Sequence, residues 1–412
     1  MKTKTLPFLV LSILWAMQPA LAGDAPQFRG PHRDGIFDEQ GLLKSWPESG
    51  PPLAWTAKGL GKGYSSVAVV NGKIYASGMA EDGTGAILVL NTEGAIEQRF
   101  PYGKEISTDE TAGTRSTPTI DGDRAYVISA PGVLYCLDLK SGKTLWNVDI
   151  LQKFGGKNNE WSLAESVLID GDRAICTPGG PDAGLVALNK MTGETVWATK
   201  GLSDMAAYCS PVLAVHQGRR ILLTETSKLV VCADADTGKL LWTLDHPTEW
   251  DIHAVAPIYS NGLIYYTAGY GAGGGLLQLS PDASSVTPQW TDKTLDCQHH
   301  GVVLANGCLF GTGHRKQQLT CLEMATGKVL WFSKEIKQGV VVFADGMLYV
   351  YEGPKSGVVS LVKAVPTGFE RTGQFIVTEG DGQHWAHPTI AGGRLYIRHG
   401  DALLAYDIAE KR

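Results

Sequence analysis

Polar and aromatic side chains recur in this sequence at intervals near 45 residues, and their chemistry suits recognition of a small molecule. Arginine can hold a carboxylate through two hydrogen bonds. Histidine can act as a base or a metal ligand, and tyrosine or tryptophan can stack on a planar ring. The residues at this repeated position are Tyr64, Arg115, Ala164, Tyr208, Ala254, His299, Gln338 and Trp385.

The next two positions of the repeat add further candidates. Glu165 is a carboxylate in a column of mostly small residues, and the alternative for it is a solvated loop position. His299 and His300 are consecutive, so on a strand they would point to opposite faces and could not easily bind one metal together. The predicted ligand-binding residues are Tyr64, Arg115, Glu165, Tyr208, His299, His300, Gln338, Trp385 and His387.

A ten-residue motif sets the register of these positions. It reads LDLKSGKTLW at residues 137–146, LNKMTGETVW at 188–197, ADADTGKLLW at 233–242 and LEMATGKVLW at 322–331. A period in this range is typical of a propeller or a solenoid. Each copy holds about four short apolar runs divided by turn residues, which predicts four short strands per repeat.

The motif ends on a tryptophan, and the count of copies predicts a closed ring. We expect the ring of each tryptophan to lie between two neighbouring blades, where its burial stabilises their packing. Eight copies begin at the eight positions given first, and the last copy lacks a fourth strand. Residues 53–57 can supply that strand, so the fold class is an all-β eight-bladed propeller closed by its N-terminal strand. A linear solenoid would leave Trp55 unexplained. The predicted docking residues are Trp55, Trp146, Trp197, Trp242, Trp290 and Trp331.

The first 22 residues read as a secretory leader. Lys2 and Lys4 precede an apolar stretch at residues 6–17, and Ala20-Leu21-Ala22 forms a cleavage signal. Residues 23–52 show no strand pattern, and we expect them to lie across one face of a single propeller domain at 53–412; a disordered leader is the alternative. We therefore expect a periplasmic or secreted monomer.

Charge and hydropathy exclude several classes of partner. The formal net charge is −6, and it becomes −8 when the two leader lysines are removed. An acidic chain is a poor candidate for nucleic-acid binding. Beyond the leader no run of 18 apolar residues occurs, so no membrane span is expected.

The seven cysteines include neither adjacent pairs nor a CxxC motif. Cys136, Cys232 and Cys321 share one column of the repeat, where other copies have small apolar residues, so we expect inert core thiols. Cys308 and Cys321 fall on neighbouring predicted strands, but spacing alone cannot establish a disulfide.

Two predicted loops are unusual, one in its composition and the other in its length. The sequence GYGAGG at residues 269–274 matches a dinucleotide fingerprint, but a strand pattern follows where that motif requires a helix, so we expect a hairpin loop. The loop at residues 151–160 is longer than its equivalents and is expected to shape one rim of the central channel or to be surface length.

The aligned repeats, together with the stretches QFRGPHRDG, RSTPTIDGDRAYV and WAHPTIAGGRLYIR, resemble the repeat of pyrroloquinoline-quinone (PQQ) enzymes. The chain is similar to exported stand-alone PQQ-like propellers, often labelled polyvinyl-alcohol-dehydrogenase-like. That resemblance implies two kinds of relative. Quinoprotein alcohol dehydrogenases bind PQQ and calcium on the ring axis, many of them against a vicinal disulfide that this chain lacks. The propeller lipoprotein of the outer-membrane β-barrel assembly machine binds partners without a known cofactor.

These observations favour binding over catalysis. We expect a small ligand or a protein partner at the central funnel. The alternatives are a PQQ-dependent alcohol or sugar dehydrogenase, with PQQ and calcium as cofactors, and an envelope scaffold. No catalytic residue or metal ligand set is identified, and no CxxCH haem site or G-x-S-x-G motif occurs.

Overall fold

Short apolar runs divided by glycine-containing turns form eight blades of four antiparallel strands, and these strands are consecutive in every blade but the last. The computed structural model describes residues 23–105 and 112–411; the predicted leader and its cleavage site lie outside them. The first four blades consist of β3 (Val67–Val70), β4 (Lys73–Met79), β5 (Thr84–Leu90) and β6 (Ile96–Lys104); β7 (Thr119–Asp121), β8 (Arg124–Ile128), β9 (Val133–Asp138) and β10 (Thr144–Asp149); β11 (Leu168–Asp170), β12 (Arg173–Cys176), β13 (Val186–Asn189) and β14 (Thr195–Ala198); β15 (Val212–His216), β16 (Arg219–Glu225), β17 (Leu229–Asp234) and β18 (Leu240–Asp245).

The remaining blades repeat this plan, and the last one takes its outer strand from the start of the domain. They consist of β19 (Ile258–Ser260), β20 (Leu263–Ala268), β21 (Gly273–Leu279) and β22 (Val286–Asp292); β23 (Val303–Ala305), β24 (Cys308–Thr312), β25 (Leu319–Glu323) and β26 (Val329–Ser333); β27 (Gly339–Ala344), β28 (Met347–Glu352), β29 (Val358–Lys363) and β30 (Arg371–Ile376); β31 (Thr389–Ala391), β32 (Arg394–His399), β33 (Ala402–Asp407) and β2 (Leu53–Ala57).

The ring closes as the sequence predicts. Strand β2 pairs antiparallel with β33, and Trp55 lies opposite Ala405. The first strands of adjacent blades contact one another, as β3 does with β7 and β31, so these strands line the central channel. The eight-bladed all-β propeller is therefore confirmed, and the linear solenoid is wrong. A single helical turn, α1 (Ile150–Phe154), begins the long loop after the second blade.

The repeated tryptophans dock six of the eight blades onto the next blade. The indole Nε1 of Trp55, Trp146, Trp290 and Trp331 donates to a backbone carbonyl in the turn of the following blade, at 2.7–3.0 Å. The rings of Trp55, Trp146, Trp197 and Trp290 also cover turn glycines of the next blade. A Cβ at Gly238, for instance, would lie 2.4 Å from Cε3 of Trp197. Trp197 and Trp242 are buried, although their indole N–H groups have no hydrogen-bond partner.

Residues 23–52 follow the channel and then the outside of the ring. Strand β1 (Ile36–Phe37) pairs parallel with β27, the innermost strand of the seventh blade, and extends that sheet to five strands. Ala25 bridges Val69 in the first blade. Further along, Trp46 packs against Tyr349 and Phe375 of the seventh blade. The segment thereby places side chains inside the channel.

All seven cysteines are buried free thiols, so the core role expected for Cys136, Cys232 and Cys321 agrees with the structure, and Cys308 and Cys321 form no disulfide. The GYGAGG segment connects β20 to β21 as a hairpin loop and opens no helix. Within the described residues, no helix is long and apolar enough to cross a membrane.

Candidate functional site

Two buried arginines from residues 23–52 close the channel. Arg29 donates to the carbonyl oxygens of Val302 at 2.8 Å and Asp34 at 2.9 Å. Arg33 donates to the carbonyl oxygens of Ser166 at 2.6 Å and Val167 at 3.0 Å. Burial lowers the pKa of both guanidinium groups to about 10, so both stay charged at neutral pH. These bonds join the segment to the third and sixth blades and form a floor across the ring.

Above this floor lies a cup of about 360 Å³. Phe28 forms part of its base, and seven of the eight residues at the repeated position line its wall. Two of them, Ala164 and Ala254, are small and leave room for a ligand between larger neighbours. The full lining is Phe28, Tyr64, Arg115, Trp161, Ala164, Tyr208, Ser210, Ile252, Ala254, Tyr270, Gln298, His299, Trp385 and His387.

Aromatic rings occupy two sides of the cup. Trp385 contacts Tyr64 with ring centroids 5.1 Å apart, and it meets the His299 ring edge-on at 5.7 Å. On the other side the Trp161 and Tyr208 centroids are 6.4 Å apart. The Tyr208 hydroxyl accepts a hydrogen bond from the Trp161 backbone N–H at 3.3 Å, and burial raises the pKa of Tyr208 to about 12. These rings can contact a flat or ring-shaped ligand from two directions.

The histidines at the base of the cup are neutral. His387 Nε2 lies 2.9 Å from the His299 carbonyl oxygen, and its Nδ1 lies 3.3 Å from Nη1 of Arg29. Because a guanidinium only donates, Nδ1 accepts and Nε2 carries the proton. Burial lowers the pKa of His299 to about 4 and holds that of His387 well below its usual range. At neutral pH the arginines therefore supply the positive charge at the cup.

Three predicted site residues do not line the cup. Glu165 is buried behind the wall, where its Oε1 accepts from the Thr177 backbone N–H at 2.8 Å. The solvated alternative for Glu165 is therefore wrong. His300 is also buried and has no hydrogen-bond partner on either ring nitrogen. Gln338 contacts a lining residue instead of the cup itself: its Nε2 donates to Oε1 of Gln298 at 2.8 Å.

The expectation that His299 and His300 point apart is wrong. Their ring centroids lie 4.0 Å apart. The two residues precede β23 in a bend rather than lying within a strand, so the alternation of a strand does not apply to them.

The repeat alignment misses five lining residues, because four come from loops between the aligned columns and Phe28 comes from residues 23–52. Trp161 follows the long loop at residues 151–160, and Tyr270 lies in the glycine-rich hairpin loop. An aromatic residue within a loop of unusual length or composition was the available signal for both. The five are Phe28, Trp161, Ile252, Tyr270 and Gln298.

Comparison with known proteins identifies the family. The profile PQQ_2, described as "Outer membrane protein assembly factor BamB", matches residues 53–333, more than half of the chain. The protein of that name from Yersinia pestis is 24% identical over 251 residues, covering 57% of this chain and 62% of its own length. A quinoprotein ethanol dehydrogenase from Pseudomonas aeruginosa is 25% identical over 166 residues, 37% of this chain and 26% of its own. The matched region thus spans less than two thirds of these relatives.

Solved structures agree on the architecture. BamB from Moraxella catarrhalis superposes with a TM-score of 0.61 at 16% identity, covering 87% of this chain and 98% of that one. Quinohemoprotein alcohol dehydrogenase from Comamonas testosteroni superposes with a TM-score of 0.68 at 13% identity, covering 94% and 81%. At these identities the likeness establishes the fold alone. Together with the profile match, it shows that the chain belongs to the PQQ_2 family of PQQ-like β-propellers.

Proposed function

We propose that this chain is an exported, periplasmic or secreted, binding protein whose cup holds a small ring-shaped organic acid. The observation that carries this proposal is the concentration of aromatic rings around a cup with a closed base. Pockets of this size and character, with a few polar groups among aromatic walls, are typical of small-molecule sites. Arg115 at the wall can orient a carboxylate, while Trp385 and Tyr208 contact the ring.

The cup does not fit the PQQ and calcium pair that the resemblance implies. Calcium takes six to eight oxygen ligands and usually several carboxylates. Among the residues that the structure describes, the cup is lined by no aspartate or glutamate. The one carboxylate of the predicted ring, Glu165, lies behind the wall. We therefore assign no quinone-dependent oxidation to this site.

A protein partner is the second candidate, and the family match favours it. The description of the family names an assembly factor, and the Moraxella structure is covered over 98% of its length. In this scaffold role, the disc rim or the blade edges would contact the partner. The two candidates differ in what the cup does, so substitutions inside it separate them.

The test is a binding assay on purified protein with 4-hydroxybenzoate and glucuronate, and with 4-hydroxybenzamide and glucose as neutral counterparts. We expect at least one acid to bind more tightly than its neutral counterpart, because only the acid can pair with Arg115. Trp385→Ala and Arg115→Ala should each weaken that binding about tenfold or more, which corresponds to about 1.4 kcal/mol.

Trp250→Ala is the matched control, because Trp250 is 55% exposed and lies outside the cup lining. It should leave affinity unchanged, and melting temperatures of all three variants check their folding. Absence of binding by both acids at millimolar concentration would contradict the proposal. Retention of PQQ with calcium, together with dye reduction, would favour the dehydrogenase instead.

A further inference from the structure

A second constellation lies behind the cup wall, and the proposed ligand does not touch it. Glu225 ends β16, His246 follows β18, and His253 lies in the loop that leads to the fifth blade. Glu225 and His253 are fully buried, and His246 is nearly so. One side-chain donor atom from each lies within 4.8 Å of the other two.

Five of the six side-chain polar atoms of this cluster have no hydrogen-bond partner. Both carboxylate oxygens of Glu225, both ring nitrogens of His253 and Nδ1 of His246 lack hydrogen bonds. Glu225 Oε2 lies 3.8 Å from His246 Nδ1 and 3.7 Å from His253 Nε2, which is too far for a hydrogen bond. Burying a carboxylate without a partner is costly, so the arrangement calls for a group between these atoms.

The orientation of His246 suits a metal ligand. Its Nε2 lies 3.0 Å from the carbonyl oxygen of Gly273, to which it can donate. A hydrogen bond of this kind fixes the tautomer and leaves the lone pair of Nδ1 directed toward the cluster. Two neutral imidazoles and one carboxylate form a common ligand set for first-row divalent ions, with metal–ligand distances of about 2.0–2.2 Å.

We propose that Glu225, His246 and His253 bind one divalent transition-metal ion, with Zn²⁺ as the representative case. The ion replaces the missing hydrogen bonds and neutralises the buried carboxylate. Three protein ligands leave a fourth coordination position for a water molecule. Water can approach from a separate cavity of about 400 Å³, which His246 borders and which is lined in part by Tyr266 and Asp292.

The site ties the fourth blade to a segment of the cup wall. His253 lies between Ile252 and Ala254, both of which line the cup. Its carbonyl oxygen accepts a hydrogen bond from the Tyr208 backbone N–H at 2.9 Å. The ion therefore holds the wall in place and has a structural role, independent of which ligand the cup takes.

The test uses full-length mature protein stripped with EDTA and then given Zn²⁺ alone. We expect one zinc per chain by elemental analysis after gel filtration and a higher melting temperature with zinc than without it. Co²⁺ in its place should give visible absorption bands of a low-coordinate site. Glu225→Gln and His253→Gln should weaken Zn²⁺ binding by more than the roughly 10–100-fold typical of outer-shell changes.

His32→Gln is the matched control, since the His32 side chain is 68% exposed and lies far along the chain from the cluster. It should keep full zinc stoichiometry. If a variant does not fold, the cobalt spectrum and zinc content of the wild-type protein still decide the matter. Absence of stoichiometric zinc from the wild type at micromolar concentration, or equal zinc in wild type and Glu225→Gln, would overturn the proposal.

Discussion

A Cβ placed on Gly193 would lie 2.8 Å from Cε3 of Trp146, the repeated tryptophan of the preceding blade. The same position has a left-handed backbone, with φ of 76°. The glycine of the repeated motif therefore meets two requirements at once. It makes the turn, and it leaves space for the indole ring that docks the neighbouring blade.

Substitution of this glycine separates the two requirements. Gly171, in the same blade, also has a positive φ, of 56°, but a Cβ there would meet nothing within 4 Å. Gly171→Ala should lower the free energy of unfolding by about 1 kcal/mol through backbone strain alone. Gly193→Ala should lower the free energy of unfolding by about 1–3 kcal/mol more than Gly171→Ala does, because the Trp146 ring must shift. Equal losses in urea denaturation would refute the packing role.

Truncation of a docking ring tests the contact from the other side. Trp242 is buried against the fifth blade, in a cluster that includes Ala283. Trp242→Ala should lower the free energy of unfolding by roughly 3–5 kcal/mol, because a large buried ring is replaced by a cavity. Chemical denaturation gives the value directly. A loss below about 1 kcal/mol would show that the tryptophans do not hold the blades together.

Glu165 should make stability depend on pH. Burial raises the pKa of its carboxyl from 4.5 to about 7. Between these values the native protein holds a proton that the unfolded chain has released, so the free energy of unfolding falls as pH rises. Glu165→Gln removes this dependence. The free energy of unfolding of the variant, relative to that of the wild type, should therefore rise by roughly 3 kcal/mol between pH 4.5 and pH 8.

Urea denaturation of both proteins at pH 4.5 and pH 8 measures this difference. The free energy of unfolding of the variant, relative to that of the wild type, should be larger at the higher pH. Parallel pH profiles for the two proteins would mean that Glu165 titrates without a penalty from burial.

Most of the fold and about half of the residues that line the cup can be predicted from the sequence. The repeat predicts eight blades, and the unpaired position of Trp55 predicts the closure with β33. Alignment of copies also brings Arg115, Tyr208 and Trp385 to one place, because equivalent residues of a ring point to one axis. What escapes prediction comes from segments outside the repeat, where local sequence does not determine the path of the chain.

Phe28 and the buried arginines show this limit. Residues 23–52 contain no strand pattern, and their position depends on hydrogen bonds with distant carbonyls such as that of Val302. Glu225 and His253 likewise come from a strand end and from a loop, and the local sequence does not show that they meet. The repeat gave no signal for Glu225, because the second strands of the seventh and eighth blades also end on polar residues, Glu352 and His399.

The most direct test of the proposed binding role is a crystal structure of the protein with whichever acid, 4-hydroxybenzoate or glucuronate, binds more tightly. We predict density for its ring in the cup between Trp385 and Tyr208, with the carboxylate directed toward Arg115. Density for the acid elsewhere on the molecule, with only ordered water between those two rings, would contradict the assignment of the cup as the ligand site.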